Sequence, residues 1–142
     1  MYCETLEGGR RVKMTGHIPV LLEEVLECFG SSRNSSYLDL TFGGGGHARA
    51  LLERIPDSTV IAMDQDPLAK ERAEALEEIF SGRLRFETCN FSELGNIQSS
   101  GFTGVLMDLG VSSFQLDDVS RGFSFREDAP MDMRMNPQQG QT

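Results

Sequence analysis

Residues 37–55 read YLDLTFGGGGHARALLERI. The short apolar run Tyr37-Leu38-Asp39-Leu40 reads as a buried strand and leads directly into four glycines, Gly43 to Gly46. The next segment, about His47 to Arg54, puts Ala48, Leu51, Leu52 and Ile55 on one side of a helix that Pro56 and Asp57 end. Strand, glycine turn and helix in this order open a β-α-β unit.

Reading outward supports the same architecture. Thr59 to Met63 is a second strand, and Pro67 opens a helix of good helix formers through about Phe80, with Gly82 as its cap. Leu84 and Phe86 alternate with polar residues in a third strand, Arg83 to Thr88, and Phe91 to Ile97 is expected to make a helical turn. Gly104 to Leu109 is a fourth strand. Upstream, Val20, Leu21, Val25, Leu26 and Phe29 recur at helical spacing between Pro19 and Phe29, before a polar break from Ser31 to Ser36. The alternation predicts an α/β fold with right-handed crossovers and a parallel sheet covered on both faces. Residues 1–16 are expected to be a disordered lead-in, and Gly110 to Thr142, with little periodicity, an extended loop.

The 142 residues suffice for one compact domain. Lys plus Arg number 13 against 22 Asp plus Glu, a net charge of −9 that gives nucleic-acid phosphates no long-range attraction. Cys3, Cys28 and Cys89 are widely spaced with no C-x-x-C pair, so neither a disulfide framework nor a metal site is indicated. No apolar run approaches the roughly 20 residues of a membrane helix, and Met1 to Met14 lacks the core of a secretory signal. The expectation is a soluble intracellular protein with no membrane partner.

Ligands of an open parallel sheet bind beyond the carboxyl ends of its strands, and four polar features fall there: Asp39 with the glycines, Asp64, Asn90-Phe91 and Asp108. Gly43, Gly45 and Ala48 fit G-x-G-x-x-A, with Asp64 21 residues beyond Gly43, the spacing of a nucleotide-binding fingerprint. On this reading the glycines let the backbone approach a ligand. Asp66 caps the helix beginning at Pro67, which leaves Asp64 free to accept both ribose hydroxyls. The spacing serves both NAD and S-adenosylmethionine. Asp39, four residues before the first glycine, repels a pyrophosphate but favours the ammonium and sulfonium of S-adenosylmethionine. Spacing alone leaves three readings open: methyltransferase, NAD-binding dehydrogenase-like domain, and structural glycine turn. No G-K-[ST] follows the glycines, so a P-loop is excluded.

The segments HIPVLLEEVL, DLTFGGGGH, MDQDP, NFSEL, VLMDLGVSSFQLDD, RGFSF and DMRM occur in this order, and from His17 to Thr142 the chain resembles the ribosomal RNA small subunit methyltransferase H family. The resemblance implies a class I S-adenosylmethionine-dependent methyltransferase with a Rossmann-like parallel sheet. It also implies methylation of the exocyclic N4 of a cytidine in 16S ribosomal RNA, with the small ribosomal subunit as partner. Matched residue by residue, it implies cofactor contacts from Gly45, Gly46, His47, Asp64, Phe91, Asp108 and Gln115, with Phe91 against the adenine. Asp108, expected at the end of a buried strand, is the candidate acceptor for the substrate amine, although Asp108-Leu109-Gly110-Val111 departs from the acidic-Pro-Pro-aromatic pattern of many amino methyltransferases. Arg121, Phe123, Phe125, Asp132 and Arg134 are candidates for a substrate wall, by stacking and phosphate contact.

Family members continue past Gly140-Gln141-Thr142 through an inserted helical domain and further core strands. On that pattern the chain is truncated after about four strands, with residues 17–110 a partial core and 111–142 an active-site loop region leading to the insertion. The basic surface then belongs to the missing part. Val105, Leu106 and Met107 are expected on an exposed apolar edge, which makes an unstable fragment, feeble in cofactor binding and turnover. The rival class is a non-catalytic nucleotide-binding or interaction module, including a homodimer paired through that strand. The Gly-Gln-Thr ending and Phe-Arg-Glu-Asp segment look more like bacterial members, cytoplasmic, than mitochondrial ones.

Overall fold

The computed structural model describes residues 18–30, 33–96 and 101–140; the lead-in assigned to residues 1–16, His17, Ile97 and Thr142 lie outside them. Four strands, β1 (Ser36–Asp39), β2 (Thr59–Asp64), β3 (Leu84–Thr88) and β4 (Gly104–Leu106), form one all-parallel sheet in the order β3-β2-β1-β4. Helices α1 (Leu22–Phe29), α2 (Gly46–Arg54), α3 (Pro67–Ile79) and α4 (Ser113–Asp117) accompany it. The α/β parallel sheet expected from the alternation is present, in the Rossmann-like form that the resemblance implied.

Period-2 alternation of the strands sorts their side chains. Tyr37, Val60, Ala62 and Leu84 join Leu26 of α1, Leu51 and Leu52 of α2, and Ala69, Ala73 and Leu76 of α3 in one core. Phe29 and Tyr37 stack with ring centroids 5.2 Å apart, anchoring α1 to β1. Among the described residues, the opposite face carries Leu38, Leu40 and Met63, with Ile61, Cys89 and Phe102 partly buried against them. Among the described residues, α1, α2 and α3 therefore all serve one face, a correction to the expectation of helices on both. β1, β2 and β3 follow one another in one direction across the sheet, so right-handed crossovers bring α2 and α3 to the same face.

Local chemistry explains the boundaries. Asp66 caps α3 as anticipated: its Oδ1 accepts the Leu68 N–H at 3.0 Å, and Pro67 occupies the first turn. α1 starts three residues later than the spacing predicts, at Leu22, because Leu21 sits at φ 53 and Pro19 and Val20 turn away to pack on α2. β4 ends at Leu106, short of the predicted Leu109. Among the described residues it pairs only with β1, and Val105 and Met107 are 51% and 47% exposed, so the strand is an apolar edge as the family pattern implied. Nor is 111–140 all extended. Ser112 and Gln115 form a reciprocal capping box that starts α4, and a 3-10 turn follows at Val119–Arg121. The S-x-x-Q at 112–115 was the signal for it.

Candidate functional site

β1 runs on to β2 and β3 on one side, whereas β4 lies on its other side, so the strand order reverses between β1 and β4. An open parallel sheet leaves its ligand crevice at that reversal, beyond the carboxyl ends. A cleft of about 940 Å³ opens there, bounded by the glycine turn, Asp64 at the end of β2, Phe91 in the 3-10 turn Phe91–Asn96, and the segment from Asp108 to Leu116.

The glycine turn is built for packing as much as for approach. A Cβ on Gly44 would stand 2.6 Å from the Phe114 ring, one on Gly45 2.5 Å from that of Phe42, and one on Gly46 2.3 Å from Pro19 Cγ. Gly45 also sits at φ 75, where a side chain is strained. Protein side chains thus stand where a side chain would project at these three positions, while Gly44 and Gly46 still line the cleft. Gly43 is different: its nearest neighbours stand at 3.8 Å, it faces the cleft, and its backbone is held from both sides. Gly43 N–H donates to Asp64 Oδ2 at 2.7 Å, and Gly43 C=O accepts from Arg72 Nε at 3.0 Å. Arg72, missed in the sequence, also lies 4.2 Å over the Phe114 ring.

Asp64 is not free. Besides Gly43, it accepts the Asp66 N–H on Oδ1 at 2.9 Å. Each carboxylate oxygen retains a lone pair, so the group can still accept from a ligand while its orientation is fixed. Burial pushes the Asp64 carboxyl up, and the N–H groups of Asp66 and Gly43 pull it back.

Asp39 lies behind the wall of the cleft, 1% exposed. Its Oδ1 accepts the Thr41 N–H at 3.1 Å, and the Thr41 hydroxyl accepts the Asp108 N–H at 2.8 Å, so the ends of β1 and of the β4 segment are tied through one threonine. Burial pushes the Asp39 carboxyl up to about 7; the Thr41 N–H opposes the rise, and the charges of Asp64 and Asp108 add to it. Asp108 itself faces the cleft and is exposed, not sealed at the end of a buried strand, because no further strand covers β4 among the described residues.

His47 stands in the first turn of α2, buried, its Nε2 3.0 Å from the Val20 carbonyl. A carbonyl only accepts, so Nε2 carries the proton and donates. Gln115 is held at both ends of its amide: Nε2 donates to Asp66 Oδ2 at 2.9 Å, and Oε1 accepts the Ser112 N–H at 2.9 Å. Phe91, 38% exposed, borders the cleft with Gly46, His47 and Gln115, whereas Gly45 does not.

None of the five residues considered for a substrate wall lines the cleft. Arg121 is 7% exposed and turned inward, its guanidinium bonded to Asp66 and to the carbonyls of Arg134 and Met135, so it has no free face for a phosphate. Phe123 is half-buried with that guanidinium 5.9 Å from its ring, Phe125 is 99% exposed, and Asp132 and Arg134 are spent on each other, with Arg134 Nε 2.6 Å from Asp132 Oδ1.

The comparisons agree on what the chain is similar to. A family model described as the MraW methylase family matches residues 14–142. A "Ribosomal RNA small subunit methyltransferase H" of Granulibacter bethesdensis is 50% identical over 123 residues, 84% of this chain and 37% of that protein. One from Rhodospirillum rubrum is 48% identical over 133 residues, 91% of this chain and 40% of its own length. The "12S rRNA N(4)-cytidine methyltransferase METTL15" of Homo sapiens is 44% identical over 126 residues, 84% of this chain and 31% of that protein. The chain spans between 31% and 41% of the length of such curated relatives. With a parallel sheet, a glycine turn bridged to the carboxylate of β2, and a family match over nearly all its residues, the chain belongs to the MraW methylase family.

Proposed function

We propose that the protein of which these residues form the cofactor-binding part uses S-adenosylmethionine to methylate the exocyclic N4 of a cytidine in small-subunit ribosomal RNA. One observation carries the cofactor reading: the carboxylates of Asp64 and Asp108 both line the cleft, with Asp39 buried behind its wall and tied through Thr41 to the Asp108 N–H. A site of that sign suits a sulfonium and an ammonium, and disfavours a pyrophosphate. The nucleotide target rests on the printed names of the relatives. The higher identity to bacterial relatives, 50% against 44%, favours a bacterial cytoplasmic setting over a mitochondrial one.

The cofactor supplies a methyl group on a sulfonium, ready for in-line transfer. Asp64, fixed by Gly43 and Asp66, uses its remaining lone pairs to hold the ribose hydroxyls. Phe91 offers its ring to the adenine. The cytosine amine is a weak nucleophile because its lone pair is conjugated with the ring, so alignment matters more than basicity. Asp108, exposed to the cleft with its backbone pinned by Thr41, accepts a hydrogen bond from that amine and relieves its growing positive charge. Deleting the gene is expected to remove one N4-methylated cytidine from small-subunit ribosomal RNA, as read by mass spectrometry of its nucleosides; an unchanged modification overturns the assignment.

A further inference from the structure

A buried ion pair joins the cleft to the loop beyond it. Asp66 and Arg121, 2% and 7% exposed and 55 residues apart, meet at 3.0 Å. Burying two charges is costly, and an apolar pair of like volume often stabilises as well or better, so stability alone gives little reason for charge here. What the pair supplies is geometry. Asp66 Oδ1 accepts the Leu68 N–H at the start of α3, and Oδ2 accepts both Gln115 Nε2 and Arg121 Nη1. Arg121 Nη2 donates to the carbonyls of Arg134 and Met135 at 3.0 and 2.9 Å. Three separate pieces of chain are held by one carboxylate and one guanidinium fork, and the planar fork is what lets a single side chain span them.

The loop is closed around Arg121. Gly122, at φ 74, turns the chain where a Cβ would stand 2.3 Å from the Pro130 carbonyl oxygen, and the Met133 N–H donates back to the Arg121 carbonyl at 3.0 Å. On the other side, the Asp66 N–H donates to Asp64 Oδ1 at 2.9 Å. Asp66 therefore touches the candidate ribose carboxylate through its backbone and the loop through its side chain. Gln115 and Met135, both held by this network, line the cleft.

We propose that Asp66 and Arg121 are a positioning pair that links occupancy of the site at Asp64 to the cleft wall made by Gln115 and Met135. This rests on the reading of the cleft as an S-adenosylmethionine site. When that ligand engages Asp64, the wall is ordered through Asp66 and Arg121, and when the pair is broken, the wall no longer follows.

The test is calorimetric titration of S-adenosylmethionine into the wild type, Arg121→Lys and Arg126→Ala, each at a temperature where its circular dichroism is native, with amide hydrogen exchange of residues 112–135 measured in parallel. Lys keeps the charge toward Asp66 but cannot reach both carbonyls as a fork. Its affinity is expected to fall about tenfold, the scale of one lost hydrogen bond. Ligand-induced protection of the Met133 N–H is expected in the wild type and is expected to disappear in the Lys variant. Arg126→Ala breaks an exposed pair with Asp117 in the same region, side chains 75% and 69% exposed, and leaves affinity unchanged. An Arg121→Lys protein with a lowered melting temperature but wild-type affinity and wild-type ligand-induced protection overturns the proposal alone. A folded wild type that binds no S-adenosylmethionine overturns the cofactor reading and the pair's role together.

Discussion

Asp64→Ala is expected to weaken S-adenosylmethionine binding by roughly two to three orders of magnitude, the loss of two charge-assisted hydrogen bonds to the ribose. The same truncation strips the Gly43 and Asp66 N–H groups of their acceptor, at 2.7 and 2.9 Å in the wild type. A buried donor without a partner costs about 1–3 kcal/mol, so the melting temperature falls too. Affinity must then be read below the variant's transition. Asp64→Asn separates the two effects, since its single carbonyl oxygen can satisfy one of the N–H groups while its NH₂ faces the other. The expected order of affinity is Asp, then Asn, then Ala. Wild-type affinity in the folded Ala variant would remove Asp64 from the site.

The second large effect is on pH dependence. In the folded chain Asp39 keeps its proton up to about pH 7, against an ordinary value of 3.8. Between those values the folded state binds more protons than the unfolded one, so stability falls as pH rises through the window and levels off above about 7. The rise from 3.8 to about 7 corresponds to about 4 kcal/mol across it. Asp39→Asn keeps an oxygen to accept the Thr41 N–H and carries no charge at any pH. Its melting temperature is expected to match the wild type near pH 4 and to exceed it clearly at pH 8. Parallel melting curves for the two proteins across that range would show that Asp39 does not titrate in the window. The same ionisation adds negative charge beside the cleft as pH passes 7, in the direction that favours a bound cation.

Periodicity, glycines and caps made the strands, the helices and the parallel sheet legible, because each depends on neighbours in sequence. Asp66 announced itself as a helix cap, and the edge character of Val105 and Met107 followed from the family pattern. What stayed hidden depends on distant contacts. Nothing local distinguishes Arg121 as an inward-facing partner of Asp66, 55 residues away, from an exposed residue awaiting phosphate. Pro19 and Phe114, which fill the sides of Gly46 and Gly44, come from opposite ends of the chain. Thr41 was legible in part: an aspartate side chain often accepts the backbone N–H two residues on, as Asp39 does here, whereas the reach of the Thr41 hydroxyl to Asp108 is a distant contact.

The central claim is that the acidic end of the cleft takes a sulfonium nucleoside. Titrating S-adenosylmethionine and NADH separately into the wild-type chain at pH 8 tests it most directly. The account predicts heat and saturation with S-adenosylmethionine and none with NADH. Saturation by NADH with no S-adenosylmethionine signal would contradict it.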